Sequence, residues 1–166
     1  MTRMVQEATI DRDRMELSLG DTLDVKTGIL LATIAVLGAL TSGLLTNGSL
    51  GKGVQTAQIA SLGMLSVAAF FAVWAIWPRD YLLPELPDVY AKWLRDLKNH
   101  YGNAQTQAES EFEIGMITKA NERIHRNHRI NRIKSRWLCR AFVPTFIALL
   151  IDLGTLASIE AVKFLS

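Results

Sequence analysis

The sequence predicts an all-α membrane protein with three transmembrane helices, an amphipathic N-terminal helix and a long cytoplasmic helical segment between the second and third spans. Three observations carry this. Residues 28–46, 57–77 and 141–159 are apolar runs, each of the ~20 residues a helix needs to cross ~30 Å of hydrocarbon. The first two contain no charge and the third only Asp152. Sixteen of the eighteen Lys and Arg residues lie before the first run or between the second and third, which places residues 1–27 and 78–140 inside and the C-terminus outside. The overall hydrophobic share of 49% would also suit a soluble domain, so the blocks, rather than the composition, decide the class.

Four regions are expected: 1–27, 28–77, 78–140 and 141–166. Residues 4–25 read as a moderately amphipathic helix, with Val5, Ala8, Met15 and Leu17 set among charges. They carry acids as well as bases and no apolar core of a leader peptide, so a cleaved leader is not expected. Lys26 can send its ammonium to the headgroups while its stem lies against the first span. Residues 46–53, rich in Gly and polar side chains, predict a turn joining spans one and two as a hairpin. Ala35, Ala39 and Gly43 in the first helix, and Ala60, Ala68 and Ala72 in the second, fall at helical spacing. Small residues allow the close backbone approach on which helix association in lipid depends. Trp74, Trp77 and Tyr81 predict an aromatic belt, and Pro78 ends the helix.

Pro87 followed by Asp88 suits the start of an amphipathic helix over 88–101, with Val89, Trp93 and Leu97 on one stripe and Gly102 and Asn103 closing it. No proline follows until Pro144. Ala108, Phe112, Ile117, Ile124, Asn131 and Leu138 approximate a heptad stripe, which predicts a helix over 104–140 running into the third span. Gly115 is its weakest point, and Pro144 removes a backbone bond within the last span.

Two places can carry function. Asp152 falls about ten residues into the third span, where an ionisable side chain costs ~2.5–3.5 kcal/mol on an insertion scale and is seldom idle. It is expected to line a polar path or to bond across an oligomer interface to Thr33, Ser61 or Ser66; the plainer alternative is a short span with a local water defect. The second place is the basic stretch 123–136, where Arg126 and Arg129, and Arg129, Arg132 and Arg136, share helix faces. Guanidinium forks suit phosphate, and Trp137 or Trp93 can stack a base, which together suit a nucleotide. Anionic lipid is the competing ligand, at ~1 kcal/mol per basic residue. Genomic DNA is not expected, because the cluster is pinned beside the membrane.

Catalysis is not expected. There is no nucleophile–base set, phosphate-binding loop or zinc spacing, and His125 and His128 are not placed four apart with a carboxylate, so neither a metal nor another cofactor is called for. Cys139, alone in the chain, excludes an internal disulfide and is expected to be inert packing.

Around Asp24, Val25, Lys26, Thr27 and Gly28 the chain resembles the small membrane effectors of the Pycsar antiphage systems and the related SLATT group. These have an N-terminal helix meeting the first span through an Asp-x-Lys-Ala-like motif, a helical hairpin, and an Asn-containing, Lys/Arg-rich stretch before the last span. Asn127, Arg129, Asn131, Arg132 and Lys134 match that stretch, and length and span order agree along nearly the whole chain. Thr27 stands where alanine is expected. The resemblance implies a homo-oligomer in a bacterial inner membrane that responds to a cyclic pyrimidine nucleotide (cCMP or cUMP) by damaging the membrane and arresting growth. The residues alone also allow a constitutive membrane scaffold with a cytoplasmic coiled coil, or a small ion-channel subunit titrating at Asp152.

Overall fold

The computed structural model describes the backbone of residues 2–46, 51–77 and 79–165, and all their side chains except those of 2–6, 162, 163 and 165. Four helices account for the fold: α1 Thr2–Thr46, α2 Lys52–Ile76, α3 Pro87–Tyr101 and α4 Gln105–Leu165. The N-terminal helix and the first span are thus one helix, as are the long basic helix and the last span. Nothing in residues 20–30 breaks α1, since Gly20 and Gly28 are tolerated in a helix at ~1 kcal/mol each. Likewise α4 continues through Pro144. Of the predicted turn, residues 47–50 lie outside the described residues, as does Pro78. Three helices are long and apolar enough to cross a membrane, within Glu7–Thr46, Lys52–Ile76 and Gln105–Ala161.

The chain divides into two compact units, Met1–Asp21 with Arg79–Arg132, and Thr22–Pro78 with Ile133–Ser166. The second unit is apolar. Its core is Leu30 and Ile34 of α1, Leu65, Ala68 and Ala72 of α2, and Ala141 and Ala148 of α4. Alanines on α2 and α4 let those backbones approach, and dispersion contacts replace the hydrophobic drive that lipid does not supply. On α2 two of the three predicted small residues, Ala68 and Ala72, are fully buried, while Ala60 is exposed. On α1 the prediction fails, because Ala35, Ala39 and Gly43 face outward. The buried line there is Leu23, Thr27, Leu30, Ile34 and Thr41, which the helical period brings onto one side. Thr27 bonds back to the Leu23 carbonyl at 2.7 Å, which satisfies its hydroxyl where alanine was expected. Trp74 and Trp77 are partly exposed, and Trp137 packs on Phe71 and Trp74 at 5.7 and 5.9 Å. Cys139 is exposed rather than packed.

The first unit is built on polar contacts. Of the apolar residues set among charges in its α1 segment, Met15 is 70% exposed, while Asp13 and Glu16 are buried. The reason lies on α4, which offers their partners. Gly20 permits a close approach here, since a Cβ would sit 2.9 Å from the Tyr81 hydroxyl and the ring would have to shift. That contact, with the bond described below, makes Tyr81 an inward residue of this unit instead of a belt residue. Helix α3 begins with Pro87 at its first turn and ends at Gly102, whose φ of 54° favours glycine. Trp93 of α3 packs against Phe112 of α4 at 4.9 Å, and its ring occupies the space a Cβ on Gly115 would need. The weak point of α4 is therefore a close-packing position. The stripe Ala108, Ile124 and Asn131 is buried, with Phe112, Ile117 and Leu138 partly so.

Candidate functional site

In the first unit, α4 presents Arg123, Asn127 and Asn131 along one face at four-residue steps, and each meets a defined partner. Arg123 donates through Nε to Asp13 Oδ2 at 2.9 Å, with Nη2 also 2.9 Å from that oxygen. Nη1 donates to the Tyr90 hydroxyl at 3.3 Å. Burial opposes the Arg123 charge, but the bond and attraction to Asp13, with smaller help from Tyr90, outweigh it and raise its pKa above the ordinary guanidinium value. Asp13 Oδ1 is buried without a partner, so the pair uses one carboxylate oxygen only.

Asn127 is fully buried and clamps the backbone of Leu82, accepting from its N–H and donating to its carbonyl, both at 3.0 Å. This satisfies an extended segment that has no helix or sheet to pair with. Asn131 donates to the Glu16 carbonyl at 2.7 Å and to Glu16 Oε2 at 3.0 Å, and accepts from Tyr81 at 2.6 Å. The other Glu16 oxygen lies 3.0 Å from His128 Nδ1. A carboxylate thus does accompany His128, across the helix pair. Among the described residues no cluster suits a metal ion.

Beside this network lies an open groove of about 650 Å³, lined by Leu82, Thr118, Asn121, Glu122, His125, Arg126 and Arg129. Arg126 and Arg129, predicted from their spacing, are brought together here. Both are exposed, and neither forms an ion pair among the described residues. Arg132 is exposed but does not line the groove. Trp137 belongs to the other unit, where Arg140 lies 4.7 Å over its ring. Trp93 is held between Gly115 and Phe112. Neither tryptophan lines the groove.

In the apolar unit Asp152 is buried among helices. Its Oδ2 accepts from Thr41 at 2.9 Å, and its Oδ1 has no partner. Thr155 donates to the Asp152 carbonyl at 2.8 Å and accepts from Gln58 at 2.7 Å. Ser61, one of the expected partners, reaches the Ala148 carbonyl at 3.4 Å instead. Thr33 and Ser66 bond to their own helices. Thr41 and Gln58 were missed; their signal was a polar residue inside each of the two uncharged apolar runs. Of the motif where the chain meets the first span, Asp24 takes Lys134 on both carboxylate oxygens at 2.7 and 2.8 Å. Lys26 is exposed and forms no ion pair among the described residues.

The chain matches the family model of PycTM, the Pycsar effector protein domain, over residues 8–159. No curated protein and no solved structure matches. The matched stretch includes all three apolar helices, the Asn127–Asn131 network and the basic groove; the chain belongs to the Pycsar effector family, membrane effectors of antiphage defence.

Proposed function

We propose that the chain senses a cyclic pyrimidine nucleotide of the cCMP or cUMP type and in response disrupts the bacterial inner membrane, ending in abortive infection. The observation that carries this reading is the groove holding the unpaired Arg126 and Arg129 guanidinia beside Thr118, Asn121 and His125. A cyclic phosphate presents acceptors to the arginines, and a pyrimidine edge presents donors and acceptors to the amide, hydroxyl and imidazole. With its N-terminus cytoplasmic and its C-terminus periplasmic, as the distribution of Lys and Arg favours, the groove faces the compartment where such a nucleotide would be made.

The ligand acts by differential affinity alone. Reversing a 1:99 equilibrium needs ~5.5 kcal/mol, and charged hydrogen bonds contribute ~1.5–3 kcal/mol each. Two such bonds supply ~3–6 kcal/mol, so one is too few, and two arginines complete the reversal only at the upper end of that range or when each engages the phosphate with both prongs of its fork. The responding element is a homo-oligomer of the apolar units. The outward stripe of Ala35, Ala39 and Gly43 suits close approach of a second copy, and Asp152, Thr41 and Gln58 supply polar groups to a rearranged, leaking packing.

Equilibrium binding of cCMP, cUMP and cAMP to the detergent-solubilised protein tests the first step. Saturable binding of a pyrimidine cyclic nucleotide, weakened at least tenfold by Arg126→Gln with Arg129→Gln, is expected. Equal, weak binding of all three, unchanged by the double substitution, contradicts it.

A further inference from the structure

Along the seam of α1 and α4 in the apolar unit runs a groove of about 410 Å³, bounded by residues 26–37 of α1 and 138–149 of α4. The two helices run in the same direction there, since Asp24 pairs with Lys134 and Thr41 with Asp152. Lys26 and Leu138 therefore mark one end, Leu37 and Leu149 the other. At ~1.5 Å per residue the groove is about 16 Å long. That is half of the ~30 Å hydrocarbon thickness, the depth of one leaflet.

The lining is apolar apart from Lys26, Thr33 and Thr145, and both threonines bond back to carbonyls of their own helices, at 3.0 and 2.9 Å. The Lys26 ammonium is thus the one uncommitted polar group of the lining. Its neighbour in the motif, Asp24, is taken by Lys134. A groove one leaflet deep with a free cation at its mouth has the shape and charge of an amphiphile's complement. A helix of a second copy would cross both leaflets and so run beyond the ends of a groove one leaflet deep.

We propose that this groove is a binding site for one anionic phospholipid, its acyl chain between Ile29, Leu30, Phe142 and Phe146 and its headgroup phosphate on Lys26. The inference stands apart from the nucleotide reading, because it concerns the other unit and needs no second messenger. Specific headgroup contact turns Lys26 from a topology signal into a ligand-binding residue.

The test uses the full chain in nanodiscs of equal phosphatidylglycerol and phosphatidylcholine with matched acyl chains. After detergent extraction and washing, the retained lipid is counted by mass spectrometry. Wild type is expected to retain phosphatidylglycerol about fivefold over phosphatidylcholine. Lys26→Gln, at an exposed side chain, removes the preference, and Thr33→Trp, which fills the groove, lowers retention of both. Parity in the wild type, a preference that survives Lys26→Gln, or retention untouched by Thr33→Trp overturns the proposal. So does efficient disulfide formation between copies carrying Cys139→Ser with Phe142→Cys, which would show a second copy covering the groove.

Discussion

Asn131 holds Glu16 twice, through its main-chain carbonyl at 2.7 Å and its carboxylate at 3.0 Å, across 115 residues of sequence. Its remaining acceptor takes the Tyr81 hydroxyl, so one amide ties α1, α4 and the extended segment of the first unit. Asn131→Leu strands the buried Glu16 Oε2 and removes the amide's bond to the Tyr81 hydroxyl, and an unsatisfied buried group costs ~1–3 kcal/mol. A clear loss of thermal stability in detergent is expected, larger than that of Arg132→Leu on the exposed face. Equal losses would show that the network is incidental.

Arg123 and Asp13 form a buried ion pair whose second carboxylate oxygen is unpartnered. Removing one member leaves a buried charge, at ~3–5 kcal/mol, whereas replacing both by apolar residues is often neutral or better. Arg123→Met is therefore expected to destabilise more than Arg123→Met with Asp13→Leu. A double-mutant cycle from chemical denaturation measures the difference, and additive losses refute the pairing.

The α3–α4 packing depends on one missing methyl. A Cβ on Gly115 would lie 2.2 Å from the Trp93 ring. Gly115→Ala gains helix propensity but forces the indole off Phe112, and overpacking of this kind costs ~1–3 kcal/mol. The variant is expected to be less stable, with shifted tryptophan emission, and Trp93→Leu is expected to restore much of the loss. A stabilised Gly115→Ala would contradict the packing.

Tyr101 donates to the Glu111 carboxylate, and this bond, with weaker desolvation and repulsion from the same charge, raises its pKa above 10.0. Its folded-state value exceeds the unfolded one, so the stabilising contribution is complete below pH ~10 and is lost as pH rises through the raised value. Phenolate absorbance should show a component titrating above 10 that Tyr101→Phe removes, and Glu111→Gln should move it back towards 10. An unchanged titration in Glu111→Gln would rule the bond out as the cause.

The spans and helix types were legible because length, apolar blocks and proline placement are local properties. The inward face of α1 was not. Periodicity counts apolar residues, and the buried line at Asp13 and Glu16 is polar, made tolerable only by Arg123, Asn131 and His128 more than a hundred positions away. Arg126 and Arg129 were legible as neighbours from their three-residue step. Trp137 was not separable from them, since its companions Phe71 and Trp74 come from a distant helix. Asp152 was legible as buried polar, while its bond to Thr41 required knowing that α1 and α4 run side by side.

Ligand-triggered leakage is the central claim, and dye release from proteoliposomes measures it directly. Addition of cCMP or cUMP is expected to release dye from vesicles bearing the wild-type chain, cAMP to release little, and Arg126→Gln with Arg129→Gln to remove the response while the protein remains inserted. Release that is constant with and without nucleotide, or no release under any of them, would contradict the account.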